Sequence, residues 1–135
     1  YPSFGLVVDD RVLFSGDTRF DPEMVRDYGG GPEIETIFHD CQLFTGGVHA
    51  SLEEIGALPA KTKKKTLLMH YQENWKDAEA SARNAGFAGF AQRNTFYVFP
   101  WRVRIPVLTT SMRQGKSRFF KIRLSPSVCR QIRPP

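Results

Sequence analysis

The sequence predicts an α/β fold that continues into a basic, β-like C-terminal extension. Three observations carry that expectation. Short apolar runs alternate with capped, helix-patterned segments as far as residue 99. Asp17 and the three histidines, His39, His49 and His70, stand at or near the ends of apolar runs. Side chains so placed are held by a rigid strand yet project into a loop-lined crevice, a common setting for a functional site. Finally, residues 101–135 hold nine Lys/Arg and no Asp or Glu, whereas residues 1–100 carry a net charge of −4.

Taken in order, Phe4–Val8 reads as a buried strand, Asp9-Asp10 as a tight turn and Arg11–Ser15 as the returning strand of a hairpin. Ser15-Gly16-Asp17-Thr18 breaks that strand at a glycine and presents a carboxylate at once. Asp21-Pro22-Glu23 starts a short helix, with Asp as cap and Pro at the first helical position, and the helix fades at Tyr28 before Gly29-Gly30-Gly31-Pro32. Ile34–Phe38 is a third strand that delivers His39-Asp40-Cys41. A loop with Gly46-Gly47 leads to His49, and Ser51 caps a helix with Glu53 and Glu54 in its first turn, where the helix dipole favours them. Lys61–Lys65 reads as a solvated basic run, and Thr66–Met69 as a fourth strand ending at His70. Lys76–Asn84 is helical, with Gly86 closing it. Phe87–Ala91 is an apolar connector and Thr95–Phe99 a fifth strand. Beyond Pro100, Val103–Leu108 and Arg118–Leu124 read as two further strands and Pro126–Pro135 as a loose end.

The 135 residues, 41% of them hydrophobic, are enough for one domain with its own core, and eleven Phe and two Trp argue against disorder. No apolar run approaches the roughly 20 residues that span a bilayer. No secretory leader is visible, so a cytoplasmic setting with no membrane partner is expected. Cys41 and Cys129 are far apart and lack metal-type spacing; Cys41 reads as a buried small hydrophobe. The charge division suggests two segments, 1–100 and 101–135. In the second, basic residues interleave with Trp101, Phe119 and Phe120, a pattern suited to phosphate backbones and stacked bases, which makes nucleic acid a candidate partner. The plainer reading is a solvated edge hairpin whose charges keep other strands from pairing.

One carboxylate and three histidines at strand and loop edges are the inventory of a metal or phosphoester site. Each also has a plainer reading: Asp17 as a turn residue or cap, His70 as a hydrogen-bonded rim residue, His49 as a loop residue, His39 as structural. Four motifs occur in order: Ser15-Gly16-Asp17-Thr18, Phe38-His39-Asp40-Cys41, Gly47-Val48-His49-Ala50-Ser51 and Leu68-Met69-His70-Tyr71. Together, over residues 3–99, they resemble the C-terminal half of a metallo-β-lactamase-fold hydrolase, closest to the branch of ribonuclease Z and related cyclic-nucleotide phosphodiesterases.

That resemblance implies half of an αββα sandwich and a zinc or manganese centre. It implies that Asp17 bridges two metal ions and that His70 is the last metal-ligand histidine. It implies that His49 contacts the scissile phosphate and helps to protonate the leaving group, with Asp40 orienting His49. The chemistry is coherent, since a carboxylate fixes the tautomer of a histidine proton donor and a neutral imidazole is a good zinc donor. The HxHxDH motif of those enzymes is absent. Only Asp17 and His70 remain as direct ligands, against the three that catalytic zinc normally takes. The expectation is therefore a truncated protein, inactive as an isolated chain, whose uncovered sheet face is buried in a homodimer. The alternatives are a functional metal-dependent phosphodiesterase or hydrolase fragment, and a nucleic-acid- or partner-binding module that uses the basic tail.

Overall fold

The computed structural model describes residues 3–99 and the backbone of residues 118–122. Strand β1 (Phe4–Val8) turns into β2 (Val12–Phe14) through Asp9 and Asp10, whose φ angles are 53° and 58°. Positive φ at both residues suits a tight turn, closed by Arg11 N–H donating to Val8 O at 3.0 Å, and Asp tolerates it better than most residues. Asp21 then caps α1 (Pro22–Met24), accepting from the Glu23 and Met24 amides, and the chain widens into a π-helical turn over Val25–Gly29. Strand β3 (Thr36–Asp40) follows. Helix α2 (Leu52–Gly56) starts in a reciprocal capping box between Ser51 and Glu54. Helix α3 (Ala60–Lys63), β4 (Thr66–Met69), α4 (Trp75–Asn84) and β5 (Gly89–Phe90) complete the region to residue 90.

These strands form a mixed sheet of order β5-β4-β3-β2-β1, to which β6 (Arg118–Ile122) adds a sixth strand beside β1. All pairings are parallel except the β1–β2 hairpin. The register sorts the side chains into two faces. Val7, Leu13, Ile37 and Thr66 make one rung, followed by His39, Leu68 and Phe90. This face is buried in the core with Val25, Ile55, Leu58, Ala82 and Phe87. The opposite rung, Leu6–Phe14–Phe38–Leu67, is covered more thinly, with Leu6, Phe14 and Leu67 half-buried. There Phe14 stacks on Phe38 at 4.6 Å and Tyr97 meets Phe38 edge-on at 5.1 Å.

Four expectations change. The third strand starts at Thr36 rather than Ile34 and runs on to Asp40, so His39 and Asp40 lie within it. Parallel pairing to β4 draws them in, opposite Leu68 and Met69. The Lys61–Lys65 run is not wholly solvated. Its first residues form α3, Lys63 Nζ donates to the Gly56 carbonyl, and Lys65 Nζ donates to those of Gly31 and Ile34 at 3.1 and 3.0 Å. Burial pulls the Lys65 ammonium below its ordinary pKa, with the nearby Lys61 charge adding to the effect. The apolar connector holds the edge strand β5. Thr95–Phe99, expected as the fifth strand, joins no sheet. The segment lies instead over the thinly covered face through Tyr97, leaving Phe96 and Val98 exposed.

The architecture is thus mixed α/β, and the described residues form one sheet; the second sheet of an αββα sandwich is not among them. Val103–Leu108, Cys129 and the end from Pro126 lie outside the described residues. So does the tail as a nucleic-acid arm, apart from β6. Among the described residues no helix is long and apolar enough to cross a membrane.

Leu13 is fully buried at the centre of the helix-covered face. Leu13→Ala should lower the unfolding free energy by about 3 kcal/mol, read from urea titrations. A loss under about 0.5 kcal/mol, within the range of ordinary surface substitutions, would place the core elsewhere.

Candidate metal centre

The site is assembled at one end of β2, β3 and β4. After β2, Gly16 takes φ of 67° and packs flush against the Phe4 carbonyl, where a Cβ would collide. This turn swings Asp17 outward and aims the Thr18 amide at β3. Ser15 ties it down: its N–H donates to Phe38 O at 2.9 Å and its hydroxyl accepts from the Asp40 amide at 2.8 Å. Ala50 N–H donates to Thr18 O at 2.8 Å, which fastens the loop that carries His49 to the same turn. At the end of β4, His70 adopts φ of 58°. A left-handed conformation is uncommon outside glycine and recurs where a site over-determines the backbone.

Asp40 lies at the centre, with only 1% of its side chain exposed. Its Oδ2 accepts from Thr18 N–H at 2.8 Å and lies 2.6 Å from His49 Nδ1; its Oδ1 lies 3.1 Å from His70 Nδ1. A carboxylate can only accept, so each imidazole donates Nδ1–H to it. The tautomer of both rings follows: in the neutral form Nε2 keeps its lone pair, free for a metal ion or a proton. The rings meet edge-to-face at 4.5 Å. Asp17 Oδ1 approaches His70 Nδ1 at 3.2 Å and is well exposed. One ligand atom from each of Asp17, Asp40, His49 and His70 lies within 4.8 Å of the others, a group able to hold a metal ion.

All four residues singled out from the sequence therefore meet in one place. His39 does not join them. It projects from the opposite face of β3, fully buried, with Nδ1–H donating to Asp40 O at 2.7 Å and Nε2 without a hydrogen-bond partner. Burial holds its imidazole below the ordinary histidine pKa. Two features have no sequence signal. The Thr18 contact is made by backbone, which no residue type announces. The reach of Asp40 to His70 as well as His49 depends on the pairing of β3 with β4, which sets the two ends side by side.

The fold and site define an α/β protein with a carboxylate–imidazole cluster at one end of its sheet. The chain belongs to the Anti-Pycsar protein Apyc1 family, whose family model matches residues 1–97. It is 49% identical over 71 residues to an Anti-Pycsar protein Apyc1 of Paenibacillus harenae, covering 52% of this chain and 29% of the relative. It is 44% identical over 70 residues to one of Bacillus phage BSP38, covering 51% and 26%. To one of Bacillus phage 010DV004 it is 38% identical over 91 residues, covering 67% and 33%. The chain thus spans about a third or less of the length of these relatives.

Membership in this family corrects the resemblance drawn from the motifs. The match is to Anti-Pycsar protein Apyc1, not to a metallo-β-lactamase-fold hydrolase of the ribonuclease Z or cyclic-nucleotide phosphodiesterase branch. The reading as a truncated member of those enzymes, and its alternative as a working phosphodiesterase fragment, fall with it. Four short motifs at strand ends report the local chemistry that a sheet edge can carry. Family follows from similarity along the whole matched length.

Cys41, directly after Asp40, is fully buried, and burial pushes its thiol up to about 12, the Asp40 charge adding to the effect. In a Cys129→Ser background, iodoacetamide at about pH 8.5, where an ordinary thiol is half ionised, should leave native Cys41 unmodified and alkylate it once urea unfolds the chain. Rapid labelling of the native chain, read by mass spectrometry, would contradict this burial.

Proposed function

We propose that this chain is the part of an anti-Pycsar protein that contributes to a divalent-metal centre. The observation that carries the reading is the convergence of Asp17, Asp40, His49 and His70 within 4.8 Å, inside the region matched by the family model. The donor set suits zinc or manganese: carboxylate oxygens and neutral imidazoles, with both rings held in one tautomer by a buried carboxylate. Asp17 and His70 are the direct ligands. Bound there, the ion supplies Lewis acidity at the sheet edge. Asp40 holds both rings by Nδ1. His49, half-buried beside His70, keeps Nε2 for taking up or giving a proton. Asp17 and His70 alone are fewer than the ligands a catalytic zinc takes.

The binding test is calorimetric titration of the purified chain with zinc and with manganese. Asp17→Ala and His70→Ala should each weaken binding at least tenfold, and Asp40→Asn by a similar factor through the two rings. In a strain that carries a Pycsar system, the unaltered chain should suppress the Pycsar response and these variants should not. Unchanged metal binding in Asp17→Ala/His70→Ala would sink the site. Suppression by that double variant would separate the anti-Pycsar activity from it.

We also infer that the chain associates with a second copy through the thinly covered sheet face, as one half of a two-layered arrangement. Leu6, Val8, Phe14, Leu67 and Met69 lie half-buried there, and Phe96 and Val98 stand exposed on the segment that crosses it. Apolar surface of this kind is stabilised by burial at an interface. Solution mass should be twice that of the chain, and Phe96→Asp/Val98→Asp should halve it. A monomer at about 100 μM, a concentration at which even a micromolar interface would hold, rules the interface out.

A further inference from the structure

We propose that Gln42 is the positioning residue for His49; the inference deepens the metal-site reading and rests on it for its functional consequence. The chain leaves β3 at Cys41-Gln42, runs through a loop over residues 43–49 and returns beside its starting point. Main-chain bonds close the loop at its neck: Gln42 N–H donates to Ala50 O at 2.8 Å, and Leu52 N–H donates to Gln42 O at 3.0 Å. The loop itself is wound around the Gln42 carboxamide, which is buried. Its Nε2 donates to Phe44 O at 2.9 Å and its Oε1 accepts from His49 N–H at 3.3 Å. Gly47 lies against the same amide so closely that a Cβ there would sit under 3.0 Å from all three of its terminal atoms.

The physical need is clear from the loop's composition. Gly46 and Gly47 stand next to Val48 and His49, and glycine loses the most conformational freedom on folding. His49 nevertheless has to meet Asp40 at 2.6 Å. The carboxamide supplies what the loop lacks, one donor and one acceptor at fixed spacing, and so fixes the His49 backbone while Asp40 fixes its ring. An imidazole anchored at both ends presents Nε2 in one place; one anchored at the ring alone swings with the loop. A buried amide also costs free energy unless its groups are bonded, which disfavours loop conformations that leave Gln42 unpaired.

The test uses Gln42→Ala and Gly47→Ala, singly and together, with retained fold checked by circular dichroism. Each single variant should shift the His49 ring resonances in long-range 1H–15N spectra. Gly47→Ala should add nothing in the Gln42→Ala background, because the amide it collides with is gone. Gln42→Glu, which keeps the acceptor but not the donor to Phe44, should fall between. A purely structural role would lower the melting temperature and leave the ring resonances in place, which overturns the proposal, as would full additivity of the two substitutions. If the unaltered chain takes up no zinc, the metal-site reading fails by itself, and the His49 resonances still decide the role of Gln42.

Discussion

The site depends on a carboxylate placed where carboxylates rarely sit. Asp40 is the last residue of a central strand and is almost wholly removed from solvent. Burying such a charge is costly unless donors satisfy it. Here three converge: one backbone amide from the turn after β2, one imidazole from the loop after β3 and one from the end of β4. The same bonds that make the buried carboxylate tolerable tie three chain segments into one edge. Stabilising Asp40 and building the site are therefore a single requirement. Few of these groups are replaceable independently, because any vacancy leaves a buried oxygen short of a donor.

The sheet explains why those segments end side by side. Parallel pairing of β2 with β3 and of β3 with β4 brings their C-terminal ends to one edge, which is where α/β sheets place ligands. Period-two alternation then separates roles within β3: Ile37 and His39 face the helix-covered core, and Phe38 and Asp40 the other face. Adjacent histidine and aspartate thus have opposite fates. His39 is packed among apolar side chains with a bare Nε2, while Asp40 gathers polar partners.

How much of this was legible in the sequence follows from the range of the forces involved. The hairpin, the Asp21 and Ser51 caps, β4 and α4 are set by neighbours a few residues apart, and the residue types declare them. Asp17, Asp40, His49 and His70 were legible as candidates because each follows a strand-like run. Errors arose where distant pairing decides. Strand β3 reaches Asp40 because β4 lies beside it, and Thr95–Phe99 stays out of the sheet with Tyr97 packed edge-on against Phe38. Lys63 and Lys65 read as solvated until the carbonyls of Gly56, Gly31 and Ile34 are seen within reach. Gln42 was invisible for the same reason, since its partners are backbone groups of a loop whose course no local pattern encodes.

The family match ends at residue 97, well inside the acid-free stretch that follows Glu79. The tail nevertheless contributes to the sheet: Arg118–Ile122 pairs with the whole of β1, from Phe4 opposite Arg118 to Val8 opposite Ile122. An unpaired β1 would offer a row of free amides and carbonyls to any passing strand. A strand carrying Arg118 and Lys121 in its sequence is a suitable cover for that edge, because basic residues discourage further pairing beyond it. β1 in turn forms the hairpin with β2, and its Phe4 carbonyl is the surface against which Gly16 packs. The segment outside the family match therefore connects to the site through one strand, by holding in place the backbone on which the Asp17 turn rests.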